Sequence, residues 1–217
     1  MARYAMVIDL SKCVGCNACA AACMAENLLS PSYYEEPPLL RALDEAAEKH
    51  DPVEAKKPIE RVWMRTTVHR LYMGKYPNVS LLFVHNLCRH CENAPCVAVC
   101  PTGASYQRED GIVAVDPEKC ILCGYCIAAC PYAARFVNHY TRTVDKCTFC
   151  YHRLAEGRLP ACVETCPTGA RIFGDLDDPN SEVAQIVNEG RAVPGTPEGP
   201  LANTRPRLFF VLQQPRK

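Results

Sequence analysis

The chain has 217 residues, 24 Lys+Arg against 24 Asp+Glu, and 16 cysteines set among 18 prolines and 11 glycines. A neutral chain without a strongly basic stretch has no electrostatic reason to bind nucleic acid. Its clean apolar runs, such as Leu81–Val84 and Leu208–Leu212, fall far short of the ~18 residues that read as a membrane span.

The opening stretch, "MARYAMVIDLSKC", has neither an apolar signal core nor twin arginines. The expectation is a chain without an export signal or anchor of its own, able to leave the cytoplasm only with a signal-bearing partner. The first cysteine group follows, Cys13, Cys16, Cys19 and Cys23, spaced C-x2-C-x2-C-x3-C. It ends in Cys23-Met24 rather than Cys-Pro, so a short helix through "AACMAENLL" is expected. Residues 27–62 read as an insertion. "SPSYYEEPP" is loop-like, and "LLRALDEAAEKH" is an amphipathic helix with Leu39, Leu40, Leu43, Ala46 and Ala47 on one face. Surface decoration is favoured over partner contact, because long surface insertions cost little. "RVWMRTTV" and "NVSLLFVHN" read as strands leading to the second group.

That group is Cys88, Cys91, Cys96 and Cys100, spaced C-x2-C-x4-C-x3-C-P. "ASYQREDGIVAVD" then reads as a β-hairpin turning at Asp110-Gly111. The third group is Cys120, Cys123, Cys126 and Cys130, spaced C-x2-C-x2-C-x3-C-P. The fourth is Cys147, Cys150, Cys162 and Cys166, stretched to C-x2-C-x11-C-x3-C-P. The Pro/Gly-rich tail ends in a strand-like "RLFFV", laid across a partner or across its own domain.

Three chemistries compete for the cysteines. Disulfides fit poorly, because the C-x2-C spacings crowd short loops and no secretion signal accompanies them. Structural zinc wants two knuckles separated by a longer stretch, which only the fourth group resembles. The third group matches the bacterial ferredoxin run for 4Fe–4S clusters in full. Soft thiolates suit iron–sulfur clusters, and proline after the fourth cysteine turns the chain away. A group, a hairpin and a second group is the ferredoxin plan, so the second group pairs with the third.

In two-cluster ferredoxins the fourth cysteine of each run serves the other cluster. That rule assigns Cys88, Cys91, Cys96 and Cys130 to one cluster, and Cys120, Cys123, Cys126 and Cys100 to another. The first and fourth groups form a nested unit, giving Cys13, Cys16, Cys19 with Cys166, and Cys147, Cys150, Cys162 with Cys23. "CPTGASYQ" and "CPTGARIF", which leave the second and fourth groups, support this nesting. Pairing the first group with the second is the alternative. The fold class expected is α+β, two ferredoxin-like units each binding two 4Fe–4S clusters, loop-rich with short hairpins and helices. Their extents are 1–26 with 140–180, and 78–139. Residues 27–77 are an insertion and 181–217 a C-terminal extension.

His90 and His152 lie beside cluster cysteines, and His90 could donate a hydrogen bond that raises a cluster potential. His50, His69, His85 and His139 read as ordinary surface or packing residues. No catalytic constellation and no phosphate-cradling glycine loop is present.

"YAMVIDLSKCVGCNACAAAC", "CRHCENAPCVAVCPTGASY", "DGIVAVDPEKCILCGYCIAACPYAARF" and "KCTFCYHRLAEGRLPACVETCPTGARIFGDLDDP" together cover much of the chain. With "TRPRLFF" they resemble the four-cluster ferredoxin-like beta subunits of the molybdopterin oxidoreductase family. Relatives include the beta subunits of polysulfide, thiosulfate, tetrathionate, arsenate and dimethyl sulfoxide reductases, and this sequence looks most like the polysulfide type. The resemblance implies four 4Fe–4S clusters on all sixteen cysteines. Some members replace one cysteine by tryptophan, but Trp63 lies outside the groups. It also implies a helical turn over one cluster in the long middle of the fourth group. The implied partners are a molybdopterin catalytic subunit and an integral membrane quinol-reactive subunit. The first and fourth groups would face the former, and the second and third the latter. The implied location is the outer face of the cytoplasmic membrane, reached by export with the catalytic subunit, with the cytoplasmic face as the alternative. A free-standing polyferredoxin, and an iron–sulfur subunit of a hydrogenase or formate dehydrogenase, are the alternatives.

Overall fold

Residues 2–27, 64–138 and 141–212 are described in the computed structural model. The proposed insertion helix, His50, Trp63 and His139 lie outside them. The described residues mix short helices and strands, and no helix among them is long and apolar enough to cross a membrane.

Strand β1 (Tyr4–Asp9) is the best-buried segment, with Ala5, Met6, Val7 and Ile8 fully enclosed. Burial on both faces explains its unbroken apolar run, where a half-exposed strand would alternate. Its neighbours come from distant parts of the chain. Strand β8 (Arg171–Asp175) pairs antiparallel with it, Ile8 opposite Arg171. Strand β10 (Leu208–Val211) pairs parallel, Met6 opposite Leu208. Strand β9 (Val193–Pro194) closes the order β8-β1-β10-β9. Successive side chains of a strand alternate between faces. Ala5 and Val7 therefore pack on Val183 and Ile186 of helix α6 (Glu182–Asn188). Met6, Ile8, Leu208 and Phe210 face the other way, into a core shared with Cys19, Cys88, Cys91, Cys147 and Cys162. The sheet thus carries a helix on one side and cysteines on the other.

The remaining strands form antiparallel ribbons. Strands β2 (Thr66–Lys75) and β3 (Asn78–Leu87) make a long hairpin running into the second cysteine group. The expected strand "RVWMRTTV" is therefore shifted, starting at Thr66 and continuing to Lys75. Strands β4 (Ser105–Gln107) and β5 (Val113–Val115) form the hairpin expected around Asp110-Gly111. Strands β6 (Phe136–Asn138) and β7 (Thr143–Asp145) join the third group to the fourth.

Each cysteine group carries a helix whose second residue is the group's third cysteine. Cys19 occupies it in α1 (Ala18–Glu26), Cys96 in α2 (Pro95–Ala98) and Cys126 in α3 (Tyr125–Ala128). Cys162 does so in α5 (Ala161–Glu164). The last three helices stop after four residues, ahead of Pro101, Pro131 and Pro167. Proline disfavours the helical conformation in the residue before it. Helix α1 has Met24 at that place and runs to nine residues. The stretched fourth group also contains α4 (Tyr151–Ala155), the helical turn expected in its long middle.

The tail lies across its own chain. Glu92 and Asn93 donate backbone bonds to the carbonyls of Arg205 and Thr204, and Arg207 donates to Arg89 at 2.8 Å. Only then does β10 join β1. The extension straps the second cysteine group to the central sheet.

Candidate metal centre

In all four groups the residue before the second cysteine takes the left-handed conformation: Gly15, His90, Leu122 and Phe149, with φ of 67°, 44°, 57° and 52°. Three carry side chains, at a cost of roughly 1–2 kcal/mol each. A tight C-x-x-C loop turns its backbone N–H groups inward this way. His90 N and Phe149 N lie 3.5 Å from Cys88 Sγ and Cys147 Sγ.

The folded chain regroups the sixteen cysteines across the sequence groups. Cys13, Cys16, Cys19 and Cys166 line one cavity, and Cys100, Cys120, Cys123 and Cys126 line another. Cys147 lies within charge–charge reach of Cys23, Cys150 and Cys162. Cys91 stands in the same relation to Cys88, Cys96 and Cys130. Among the described residues, no His, Cys, Asp or Glu side chains gather as one metal ion would need.

The electrostatics suit a larger cationic centre. Burial, and then the neighbouring Cys162 and Cys150, push the Cys23 thiol up to about 12. Burial and Cys88 do the same to Cys91, again to about 12. Four enclosed thiols ionise together only around strong positive charge. Cys100 and Cys166 differ. Slight burial opposes their ionisation, but N–H groups of Ser105 and Thr102 for one, and of Arg171 and Thr168 for the other, hold both below the ordinary thiol value. The repeated "CPTGA" exit therefore builds one structure twice. Gly103 and Gly169 take φ of 66° and 63°, and each threonine hydroxyl lies 3.8 Å from its cysteine.

Buried cations run between the sulfurs. Arg135 donates to Cys96 Sγ at 3.0 Å and to Ser105 Oγ at 2.7 Å, and also reaches Cys126. Arg171 reaches Cys162 and Cys19, and donates to Thr66 Oγ1 and His85 Nδ1, both at 2.9 Å. With Nδ1 accepting, the His85 proton belongs on Nε2, 3.2 Å from Cys13 Sγ. Burial and then Arg171 drive the His85 pKa down to about 3, so the ring is neutral. Lys146 is enclosed beside Cys88, Cys147 and Cys96, its Nζ donating to the Val113 and Cys147 carbonyls. His90 is fully buried and stacked on Phe149 at 3.8 Å, with Nδ1 accepting from Val113 N. Its Nε2, with Nε and Nη1 of Arg135 and of Arg171, has no hydrogen-bond partner among the described residues. Orphaned donors buried beside cysteines fit a sulfide-bearing cube, whose sulfurs accept such bonds.

His85 reads in the sequence as an ordinary residue, whereas the structure brings it to Cys13. The structure also brings Arg135, Arg171 and Lys146, which no cysteine motif contains, to the sulfurs. A signal existed for the arginines: each lies five residues beyond a Cys-Pro cysteine, in "CPYAAR" and "CPTGAR".

Residues 79–176 match a 4Fe-4S dicluster domain, and residues 10–25 a 4Fe-4S binding domain. The B subunit of tetrathionate reductase from Salmonella typhimurium is 41% identical, over 96% of this sequence and 72% of the relative. The B component of polysulfide reductase from Wolinella succinogenes is 40% identical, over 96% and 94%. This protein belongs to that family of iron–sulfur B subunits. Protein NrfC of Escherichia coli, 42% identical over 96% of the sequence and 80% of its own length, is similar to it as well. The resemblance read from the cysteine motifs therefore holds for almost the whole B subunit. Its 4Fe–4S domains contain the sixteen cysteines.

Proposed function

We propose that this B subunit carries single electrons through four 4Fe–4S clusters, between a membrane quinol-reactive subunit and a molybdopterin catalytic subunit. The complex would be a respiratory oxidoreductase of the polysulfide-reductase type. Cys13, Cys16, Cys19 and Cys166 hold the first cluster, and Cys147, Cys150, Cys162 and Cys23 the second. Cys88, Cys91, Cys96 and Cys130 hold the third, and Cys120, Cys123, Cys126 and Cys100 the fourth. The chain then divides into two ferredoxin-like units, 1–26 with 140–180, and 78–139. When bound, each cluster supplies a one-electron couple, anywhere from roughly −700 to +450 mV across proteins.

The observation that carries this reading is the exposure of the cysteines. Of the sixteen, only Cys16 and Cys123 are exposed, and they belong to the first and fourth sets. A conductor between two partners needs its inner carriers enclosed and its terminal carriers reachable. The outer ends are also apolar, with Val14 exposed at one and Ile121, Leu122 and Tyr125 at the other. The tetrathionate and polysulfide reductase relatives, each named as one component of a reductase, support a role inside a larger enzyme. The first end would face the catalytic subunit and the fourth end the membrane anchor, on the outer face of the cytoplasmic membrane.

Replacing Cys126 and Cys16 separately by alanine tests the direction. The Cys126 variant loses quinol-driven turnover but keeps turnover from an artificial reductant that feeds the first end, and the Cys16 variant loses both. Intact quinol-driven turnover without Cys126 would sink the orientation or the ligand sets.

A further inference from the structure

Arg135 and Arg171 occupy equivalent places. Each follows a Cys-Pro cysteine by five residues, and each is nearly enclosed, 5% and 3% exposed. Each leaves Nε–H and one Nη without a partner. No carboxylate among the described residues is bonded to either guanidinium; their named partners are sulfur, hydroxyl and imidazole. Burying an unpaired cation costs several kcal/mol, and arginine stays charged in proteins. Something negative must balance both.

The sulfurs around them come from two ligand sets at once. Arg135 bonds Cys96 of the third set and stands within charge reach of Cys126 of the fourth. Arg171 stands within charge reach of Cys162 of the second and of Cys19 and Cys13 of the first. Arg171 also reaches Cys13 indirectly, through the His85 ring.

We propose that Arg135 and Arg171 are potential-setting residues, each raising the reduction potentials of the two clusters in its own half through its charge and its free N–H donors. This rests on the ligand sets proposed above. A reduced cluster carries one more negative charge than an oxidised one, so a fixed neighbouring cation favours the reduced form. Hydrogen bonds to cluster sulfur act in the same direction. Each arginine moves both clusters of its half in the same direction, and each half is set independently.

The test is a redox titration followed by electron paramagnetic resonance, on the purified complex carrying Arg171→Met, Arg135→Met or the matching lysine variants. Arg171→Met should lower the midpoints of the first and second clusters by at least a tenfold change in the reduced-to-oxidised ratio, about 59 mV for one electron. The third and fourth should stay in place. Arg135→Met should do the converse. Lysine keeps the charge but loses the fork, so its variants should move less, in the same direction. Unmoved midpoints in variants with full iron, or equal movement of all four clusters, would overturn the proposal. Should the methionine variants lose iron, the lysine variants decide alone: a downward shift confined to one half supports it, and none defeats it. A wild-type complex without iron–sulfur signals would defeat the proposed function itself, which separates the two failures.

Discussion

Leu122 takes the left-handed conformation with its side chain 37% exposed, in a position where the first group has Gly15. A β-carbon there costs roughly 1 kcal/mol against glycine. Packing does not explain leucine at so exposed a site. Leu122→Gly should therefore leave stability unchanged or raise it by up to ~1 kcal/mol, less the unfolded-state entropy that glycine adds. Denaturant unfolding of the isolated chain checks this. If leucine is kept for docking, quinol-driven turnover in the complex falls while iron content holds. Phe149 presents the opposite case at the same loop position. It is buried, stacked on His90 and set edge-on to Phe173 at 5.2 Å. Truncation to alanine should cost about 3–4 kcal/mol, read as a lower midpoint of unfolding. The same backbone strain is offset by packing at Phe149 and left exposed at Leu122.

Helix α1 outlasts its three counterparts by five residues, and the extra turn has a use. Glu26, at its end, bonds Arg153 at 2.6 Å and His152 at 2.9 Å, both on α4. Arg153 also pairs with Glu164 of α5. Three helices from two distant cysteine groups are thus held by one enclosed guanidinium. Glu26→Gln should cost roughly 1 kcal/mol, since a half-exposed carboxylate is partly screened and Glu164 remains. The His152 bond, and then Arg153, hold the Glu26 carboxyl below its ordinary 4.5. The unfolded chain takes up this proton first as pH drops, so the contribution is complete above about pH 4.5 and lost below it. Wild-type stability should fall more steeply than that of Glu26→Gln on acidification below pH 4.5. Parallel pH–denaturation curves would show that the contact contributes nothing.

Across the whole molecule, the strand entering the first group pairs with the strand leaving the fourth, as β4 leaving the second pairs with β5 entering the third. Loop-rich cysteine groups with short helices bury little apolar area of their own, so bound clusters should supply much of the stability. Gentle anaerobic extraction of the native complex followed by metal analysis should find molybdenum or tungsten with excess iron. Iron alone, in a fraction without a large partner, would favour a free polyferredoxin. The cysteine spacing, the prolines that stop three helices and the Asp110-Gly111 turn were all legible in the sequence, because each acts within a few residues of itself. Lys146 was not. Lys-Cys occurs three times, at Lys12, Lys119 and Lys146. Lys12 and Lys119 pair at the surface with aspartates three residues back, Asp9 and Asp116. Lys146 has Thr143 at that place and is enclosed between cysteines of two groups. The partner of a charge buried by long-range packing is set by which distant segments meet, and no local spacing carries that. The sequence by itself determined the spacing of the four cysteine groups and where the chain must turn. Only the tertiary structure decided which two cysteines are left open to solvent and which cations lie between the cysteine sets, because both depend on which distant segments meet.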